Sequence, residues 1–399
     1  MGRGKSSAAI RYMNRHRGTK CFLYITPYLS EVDRICEQCN FEEPDSDYIS
    51  KSNILKELMR NRCNIASTHA LFSMMDDESL DIAKEQGYCL IIDESIHIIQ
   101  GVTVSPKDKD ILLQNLMEIN EDFSVNWLDA EYEGKFEGYK KVAEDRMLYY
   151  YAGTLYDVMN PNRLLPFSEV FVLTYLFDGQ LLKAYLDYFG FTYDIIGILR
   201  DESGYLFSDA PDNPPQVDFT GLIHIIGSGD RDLRMNDIGN ERTALSVSWF
   251  ERRGRSHDDI NILRRNLDTF FRIKTSDASG ARLWTTYKGN LEWLLGVRNR
   301  YASSFLSLNA RATNAYKNAD CVAYLVNRFV DPNISKFFAE KNIKIDPNKF
   351  ALSEMLQFIW RSAIRDDREI FLYIPSRRMR GLLTEWITEM NKAGGQCDL

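Results

Sequence analysis

Short continuous apolar runs, each closed by polar residues, recur along the N-terminal part of the chain. Cys21–Thr26 (CFLYIT) is closed by Pro27, and Asn64–Ser67 (NIAS) ends in a polar turn. Tyr88–Ile92 (YCLII) is closed by Asp93 and Glu94, and Val170–Leu173 (VFVL) by Thr174. Such runs predict strands buried on both faces. Helical patterns fill the intervals: Ser7–His16 is helix-compatible, and Ser30–Cys39 reads as a helix start. Strand–helix alternation predicts an α/β fold with a parallel sheet covered on both sides. Such sheets bind ligands beyond the carboxyl ends of their strands, which is where these closing residues fall.

Residues 200–240 break the pattern with Asp-Asn-Pro-Pro at 212–215, several glycines and few periodic stretches. A second alternating block follows: Arg282–Thr286 (RLWTT), Ser304–Leu308 (SFLSL), Cys321–Leu325 (CVAYL), a helix over 353–364, and Ile370–Ile374 (IFLYI). The expected organisation is therefore an N-terminal domain over 1–190, an irregular insertion or linker over 191–275, and a C-terminal domain over 276–399. The two outer domains are read as parallel sheets of the same general kind. No internal repeat or low-complexity tract is evident.

The length of 399 residues fits two to three domains at about 150 residues each. With 44% hydrophobic and 27% charged residues, the chain is neither wholly disordered nor collagen-like. It lacks an uncharged apolar run long enough for a membrane span. Its first residues, MGRGKSSAAIRYMNRHR, lack the apolar core of a secretory signal, so the cytoplasm is the expected compartment. A net charge of −8 excludes a globally basic nucleic-acid binder but leaves room for a local basic groove. Basic residues concentrate at 1–20, at 251–274, and at Arg361, Arg365, Arg368, Arg377, Arg378 and Arg380, as solvated surface or as phosphate contacts. Seven cysteines in a chain without a signal suggest reduced thiols. Cys36 and Cys39 form a lone CxxC; zinc would need two more ligands, for which Cys21, Cys63 and His69 are candidates by nearness in sequence.

Four groups of residues carry candidate chemistry. Gly2-Arg3-Gly4-Lys5-Ser6 matches the end of the phosphate-binding pattern G-x-x-x-x-G-K-[ST]. There Gly2 and Gly4 would let backbone N–H groups wrap phosphates, Lys5 would reach the outer phosphates, and Ser6 would hold Mg²⁺. The same residues also fit a flexible basic tail. The pattern places its first glycine and launching strand before Met1, so a start assigned too late or a shortened chain is expected. Asp93-Glu94 closes an apolar strand, as a Mg²⁺-dependent nucleoside triphosphatase requires: Asp93 for the metal, Glu94 for the attacking water. An ordinary acidic turn is the alternative. Gln357, Arg361 and Arg365 are spaced by four on an expected helix, a face suited to triphosphate charge or to surface salt bridges. Arg311, Thr313 and Asn314, like Thr26-Pro27 and Thr68-His69, follow strands as polar turns. They would contact a nucleic-acid backbone or serve as local caps. Tyr149–Tyr151 and the LTYLF segment could stack on bases, although aromatics at such spacing are usually core. The histidines show no metal-ligand spacing.

In their order, these motifs resemble those of superfamily-two helicases and related nucleic-acid translocases. Gly4-Lys5-Ser6 looks like the end of motif I, Thr26-Pro27 like motif Ia, and Ser67-Thr68-His69 like the next substrate-contacting motif. Asp93-Glu94 looks like motif II, with Ser95-Ile96 in place of the familiar x-[HD]. Leu173-Thr174-Tyr175 is a loose counterpart of motif III, and Arg311-Ala312-Thr313-Asn314 is similar to motif V. Gln357, Arg361 and Arg365 look like motif VI, with Arg365 eight residues after the glutamine where the family commonly has seven. The C-terminal segment also looks like helicase-type ATPases of bacteriophages and mobile elements. The resemblance covers roughly 1–185 and 280–399. It implies two RecA-like domains, ATP and Mg²⁺ between them, catalytic roles for Glu94, Gln357, Arg361 and Arg365, and nucleic acid, DNA rather than RNA, as partner. An inactive nucleic-acid-binding or scaffold module and a ring-forming packaging or partitioning ATPase are the alternatives. Oligomeric state is not readable.

Overall fold

The apolar runs at 21–26, 64–67 and 88–92 become strands because each is covered on both faces, whereas the run at 170–173 forms an edge strand with Val170 exposed. In the computed structural model, which describes residues 4–45, 50–94, 96, 98–209, 218–227, 233–274, 281–308 and 315–394, the chain forms two compact units. The first comprises Ala9–Asp194 and Asp331–Ile345; the second comprises Met1–Ala8, Ile195–Val330 and Asp346–Leu399.

The first part of the chain contains α1 (Lys5–Arg15), β1 (Cys21–Thr26), α2 (Leu29–Cys39), α3 (Lys51–Arg60), β2 (Ile65–Thr68), α4 (His69–Ser73), α5 (Asp77–Glu85) and β3 (Tyr88–Asp93). After β3 come β4 (Ile99–Val102), α6 (Pro106–Ile111), β5 (Met117–Ile119), β6 (Val125–Trp127), α7 (Glu137–Glu144), β7 (Leu148–Tyr151) and β8 (Thr154–Val158). β9 (Glu169–Leu173) and α8 (Leu181–Tyr188) close this part. The main sheet has the order β2-β1-β3-β9, and all its pairings are parallel. Every residue of β1 and β3 is buried, as a parallel strand between helical layers requires. The helices start where the sequence provides caps: Ser50 accepts from Asn53 N, Thr68 from Leu71 N and Asp76 from Ser79 N.

Between β3 and β9 lies an antiparallel addition, with a three-stranded sheet of order β4-β8-β7 and a β5–β6 hairpin. Leu112, Leu116, Met117, Val125, Phe136, Ala143, Leu148 and Leu155 give it a small core of its own. Tyr149 is buried here. The partner of this tyrosine-rich surface is α13 (Pro332–Ala339), a helix from far along the chain. Phe337 on α13 is fully buried, with ring centroids 5.8 Å from Tyr149 and Tyr151 and 4.8 Å from Tyr188, on which it stacks. Lys341 Nζ donates to the Tyr188 carbonyl at 3.1 Å and lies 4.1 Å over that tyrosine ring. Tyr149–Tyr151 thus serve as packing surface.

The second unit contains the hairpin β10 (Gly197–Asp201) and β11 (Gly204–Ser208), then α9 (Phe219–Leu222), β12 (Ile223–Ile225), α10 (Val247–Arg253), α11 (Asp258–Lys274), β13 (Ala281–Thr285), α12 (Leu291–Leu294) and β14 (Ala319–Tyr324). α14 (Pro347–Ile359), β15 (Ile370–Tyr373) and α15 (Arg377–Gly394) complete it. Its sheet has the order β12-β15-β14-β13, again all parallel. The chain is therefore an α/β protein with two parallel sheets.

Three expectations need correction. Residues 219–274 are not an insertion or linker: β12 pairs with β15, and Trp249, Phe250, Ile260, Leu263, Leu267, Phe270 and Phe271 of α10 and α11 pack in the unit's core. SFLSL is not a strand. It follows a 3₁₀ turn over Ala302–Ser304, and only Phe305 bridges to the sheet, at Trp284. The helix expected over 353–364 runs instead from Pro347 to Ile359, capped by Asp346. Among the described residues no helix is long and apolar enough to cross a membrane.

Replacing Phe337 by alanine removes a fully buried ring from the first unit and should cost about 3–5 kcal/mol. The expected reading is a lower urea midpoint for the full chain; an unchanged midpoint would show that α13 is not part of that core.

Candidate functional site

Parallel pairing brings the carboxyl ends of β1, β2, β3 and β9 to one rim of the first sheet. Thr26 pairs with Thr68, Ile25 with Ile92, and Asp93 with Leu173. Thr26, Pro27, Thr68, His69, Asp93 and Glu94 therefore share this rim, although β2 and β9 arrive from distant parts of the sequence.

The acid pair is held by two tyrosines. Tyr24 Oη donates to Asp93 Oδ2 at 2.6 Å, and Tyr28 Oη donates to Glu94 Oε2 at 2.9 Å. Asp93 is only 8% exposed, so its charge needs compensation within the protein. Burial first, and then the neighbouring Asp93 carboxylate, push the Tyr24 phenol well above its ordinary value. It stays a neutral donor at any working pH. Arg34 on α2 supplies positive charge nearby: its pKa is raised, first through its bond to Glu31 and also through Asp93. Glu94 leaves the strand with a left-handed φ of 62°, a conformation that costs a non-glycine residue about 1–3 kcal/mol. Its N–H still donates to the Leu173 carbonyl at 3.3 Å, one step beyond the strand ladder.

The remaining rim residues are more committed to local structure. The Thr68 hydroxyl caps α4, and His69 at the start of α4 is buried. Buried Arg163 donates to the carbonyls of Phe72 and Met75 at 3.3 and 2.9 Å, fastening the end of α4. The fully buried Thr26 hydroxyl has no hydrogen-bond partner among the described residues. The donors here are hard oxygens, and among the described residues no group of three or more His, Cys, Asp or Glu side chains could hold a metal. That set fits an ion such as Mg²⁺, which binds through one or two carboxylates and completes its shell with water and phosphate oxygens. It does not fit zinc. Cys36 and Cys39 of the CxxC have thiols pushed up by burial to about 11, as packing residues would.

Lys5 and Ser6 form the first turn of α1. Gly4 precedes it with φ 75°, and the ring of Tyr205 lies so close that a Cβ at Gly4 would come within 2.2 Å of it. A glycine is thus required there by packing as well as by backbone. Gly2 lies outside the described residues, as do Arg311, Thr313 and Asn314.

Gln357, Arg361 and Arg365 belong to the second unit but do not share a helix face. α14 ends at Ile359 with Trp360 as its C-cap. The Ser362 hydroxyl donates to the Ile359 carbonyl at 2.7 Å, and Trp360 packs edge-on against Phe219 and Trp386. Burying Trp360, Ser362, Ala363 and Ile364 turns the chain, so Arg361 stands beyond the helix and Arg365 in a 3₁₀ turn over Ala363–Asp366. Gln357 is half-buried and donates to Ser353 Oγ at 3.5 Å.

Several rim residues were not anticipated. Tyr24, Tyr28 and Arg34 carry the acid pair, and Tyr24 reads in sequence merely as part of an apolar run. At the corresponding rim of the second sheet, the buried hydroxyls of Thr285 and Thr286 have no partner among the described residues. Asn327 there donates to the carbonyls of Arg242 and Ala244, both at 3.0 Å.

These features define an α/β protein of two parallel-sheet units, one of which carries a tyrosine-held acid pair at its rim. Residues 218–387 match the family model for the YonV C-terminal Rossmann-like domain. The chain is 34% identical over 403 residues to the SPbeta prophage-derived uncharacterized protein YonV of Bacillus subtilis (strain 168), covering 97% of each sequence. It belongs to the YonV family. Among solved structures, that of S. tokodaii Xpd4 aligns over 96% of this chain and 91% of that one, at 11% identity and a TM-score of 0.46.

Tyr24→Phe removes the buried donor to Asp93 and should destabilise the full chain by about 1–3 kcal/mol, in line with a buried acceptor losing its partner. Calorimetric or denaturant unfolding reads this directly. A variant as stable as the parent would show that the phenol does not compensate the carboxylate.

Proposed function

We propose that this chain is a nucleic-acid-dependent nucleoside triphosphatase of helicase or translocase type, using ATP and Mg²⁺. The observation that carries the reading is Asp93, a carboxylate kept buried at the end of a parallel strand by a dedicated phenol donor, with Glu94 turned out beside it. A buried acid at a rim is costly, and such groups cluster at functional sites.

In this reading Asp93 would hold Mg²⁺, and Lys5 and Ser6 enter separately as the candidates for phosphate and metal that their motif suggests. The metal, when bound, neutralises phosphate charge. Glu94, positioned by Tyr28, orients a water and accepts its proton. Of the rim residues expected to contact a nucleic-acid backbone, Pro27 and the partly exposed Thr68 remain candidates, whereas Thr26 and His69 are buried. Gln357, Arg361 and Arg365 enter as separate phosphate-binding candidates, since they no longer form one face. The prophage origin stated for the YonV relative supports a role in phage DNA metabolism, and hence DNA ahead of RNA.

One observation favours a second reading, a binding or scaffold module without turnover. The space beside Gly4 is taken by the Tyr205 ring, within 2.2 Å of where a Cβ would stand, so this glycine faces an aromatic side chain.

ATP hydrolysis measured at low salt with and without single-stranded DNA separates the two. The expected result is DNA-stimulated turnover that falls by roughly 10²–10⁴ in Glu94→Gln, the range for loss of a general base, and that is also lost in Asp93→Asn. DNA binding with neither turnover nor an ATP-dependent rise in thermal midpoint would establish the second reading instead.

A further inference from the structure

Helix α11 turns Ile260, Leu263, Leu267, Phe270 and Phe271 into the core of the second unit. Arg264, Arg265 and Arg272 stand exposed on its remaining surface. Arg265, Asp268 and Arg272 are spaced by three and four residues and so lie on one face. Asp268 accepts from Tyr301 Oη at 2.7 Å and from Arg300 Nη1 at 3.3 Å, which fastens the loop bearing Arg300 alongside α11. Arg282, at the start of β13, lies 5.6 Å over the Tyr301 ring and 5.7 Å over that of Phe271. Arg300 thus reaches Asp268 directly, and Arg265 and Arg272 stand on either side of Asp268 along the helix face. Arg265 and Arg272 form no ion pair with any described residue.

We infer that this face of α11 binds the phosphate backbone of a nucleic acid. The inference rests on the nucleic-acid reading proposed above and adds a location for the contact. In a chain of net charge −8, arginines without carboxylate partners make a local reversal of sign. Counterion release from phosphates rewards such a reversal. Arg265 and Arg272 are two helical turns apart, about 10.5 Å along the axis, which matches about three nucleotides of one strand. The guanidinium fork suits phosphate oxygens in pairs. The aromatic rings of the patch, Phe271 and Tyr301, are buried and offer no platform for base stacking. Contact here is to backbone alone and independent of sequence. The patch sits at the amino end of β13, whereas Thr285 and Thr286 mark the opposite, carboxyl end of that strand. It is therefore separate from the carboxyl rim of its own sheet.

The test uses the full chain with Arg265→Gln/Arg272→Gln, exposed positions whose replacement leaves the core intact. Lys107→Gln/Arg146→Gln, at exposed sites of the first unit, serves as a control of equal charge change. Anisotropy of a labelled 30-nucleotide single strand is followed from low to moderate salt. The expected result is roughly tenfold weaker binding of the α11 variant at low salt, with a salt slope shallower by about 1.4, or 0.7 per lost contact. The control should match the parent. A variant that binds like the parent overturns the inference and leaves the proposed function standing. A parent that binds no nucleic acid at low salt overturns both. Loss of binding to phosphatidylserine vesicles with unchanged DNA binding would assign the patch to an anionic membrane and overturn it as well.

Discussion

A parallel strand cannot follow its neighbour through a tight hairpin. Each must be reached by a crossover, and the crossovers cover both faces of the sheet. This constraint shapes both units. In the first it forces β1, β2, β3 and β9 to finish on one rim, and in the second it does the same for β12, β13, β14 and β15. Burial of both faces also removes any outlet for a polar side chain except at the strand ends. Thr26, Asp93, Thr285 and Asn327 are polar and buried, and they lie at or just past those ends. The buried polar side chains of the sheets are thus confined to the rims by the same packing that makes the sheets stable.

At the first rim, confinement has a physical cost that the neighbours offset. A carboxylate as buried as Asp93 has given up most of its water and needs donors from the protein. The Tyr24 phenol supplies one, and Arg34 adds positive charge nearby. The left-handed backbone at Glu94 is held by its N–H bond to Leu173 and by Tyr28. Strain kept in place by two independent contacts, next to a buried carboxylate with its own donor, is what the proposed catalytic reading of this pair rests on.

How much of this was legible follows from the kind of signal each element leaves. The strands of both sheets other than β12 announce themselves because their apolar runs are continuous, and Asp93-Glu94 stands out by closing one; β12 is only three residues long with His224 at its centre, and it fell in the stretch read as a linker. The antiparallel addition between β3 and β9 was not seen: its strands are short, and charged residues interrupt them. SFLSL has a strand's composition, yet a 3₁₀ turn takes its Ser304, and its link to the sheet is one bridge at Trp284, made by Phe305 and the Leu306 N–H. The Gln357–Arg361–Arg365 stripe is sound helical arithmetic, but spacing cannot reveal that burial of Trp360 and Ser362 ends the helix first. Tyr24 was hidden in plain view, since in an apolar run a tyrosine counts as core until its hydroxyl is seen to have a partner. Nor could α13 be placed from its neighbours in sequence, because the aromatic surface that takes Phe337 is built from residues 149–188.

The arginines show most clearly why composition underdetermines function. The sequence draws attention to the cluster at 361–380, yet Arg378 spends its donors on Asn327, Asn348 and the carbonyls of Arg328 and Pro347. Arg380 donates to the carbonyls of Ile374 and Pro375. Both residues show lowered pKa values, with burial as the first cause, which marks them as internal fasteners of the turn that leads into α15. A guanidinium occupied in this way has little left for a phosphate. On α11 the balance is reversed. Asp268 is shared between Arg300 and Tyr301, while Arg265 and Arg272 on the same face form no ion pair with any described residue. Two stretches of equally basic sequence therefore do opposite work. What separates them is whether backbone carbonyls or solvent face the guanidinium, and that is set by tertiary packing.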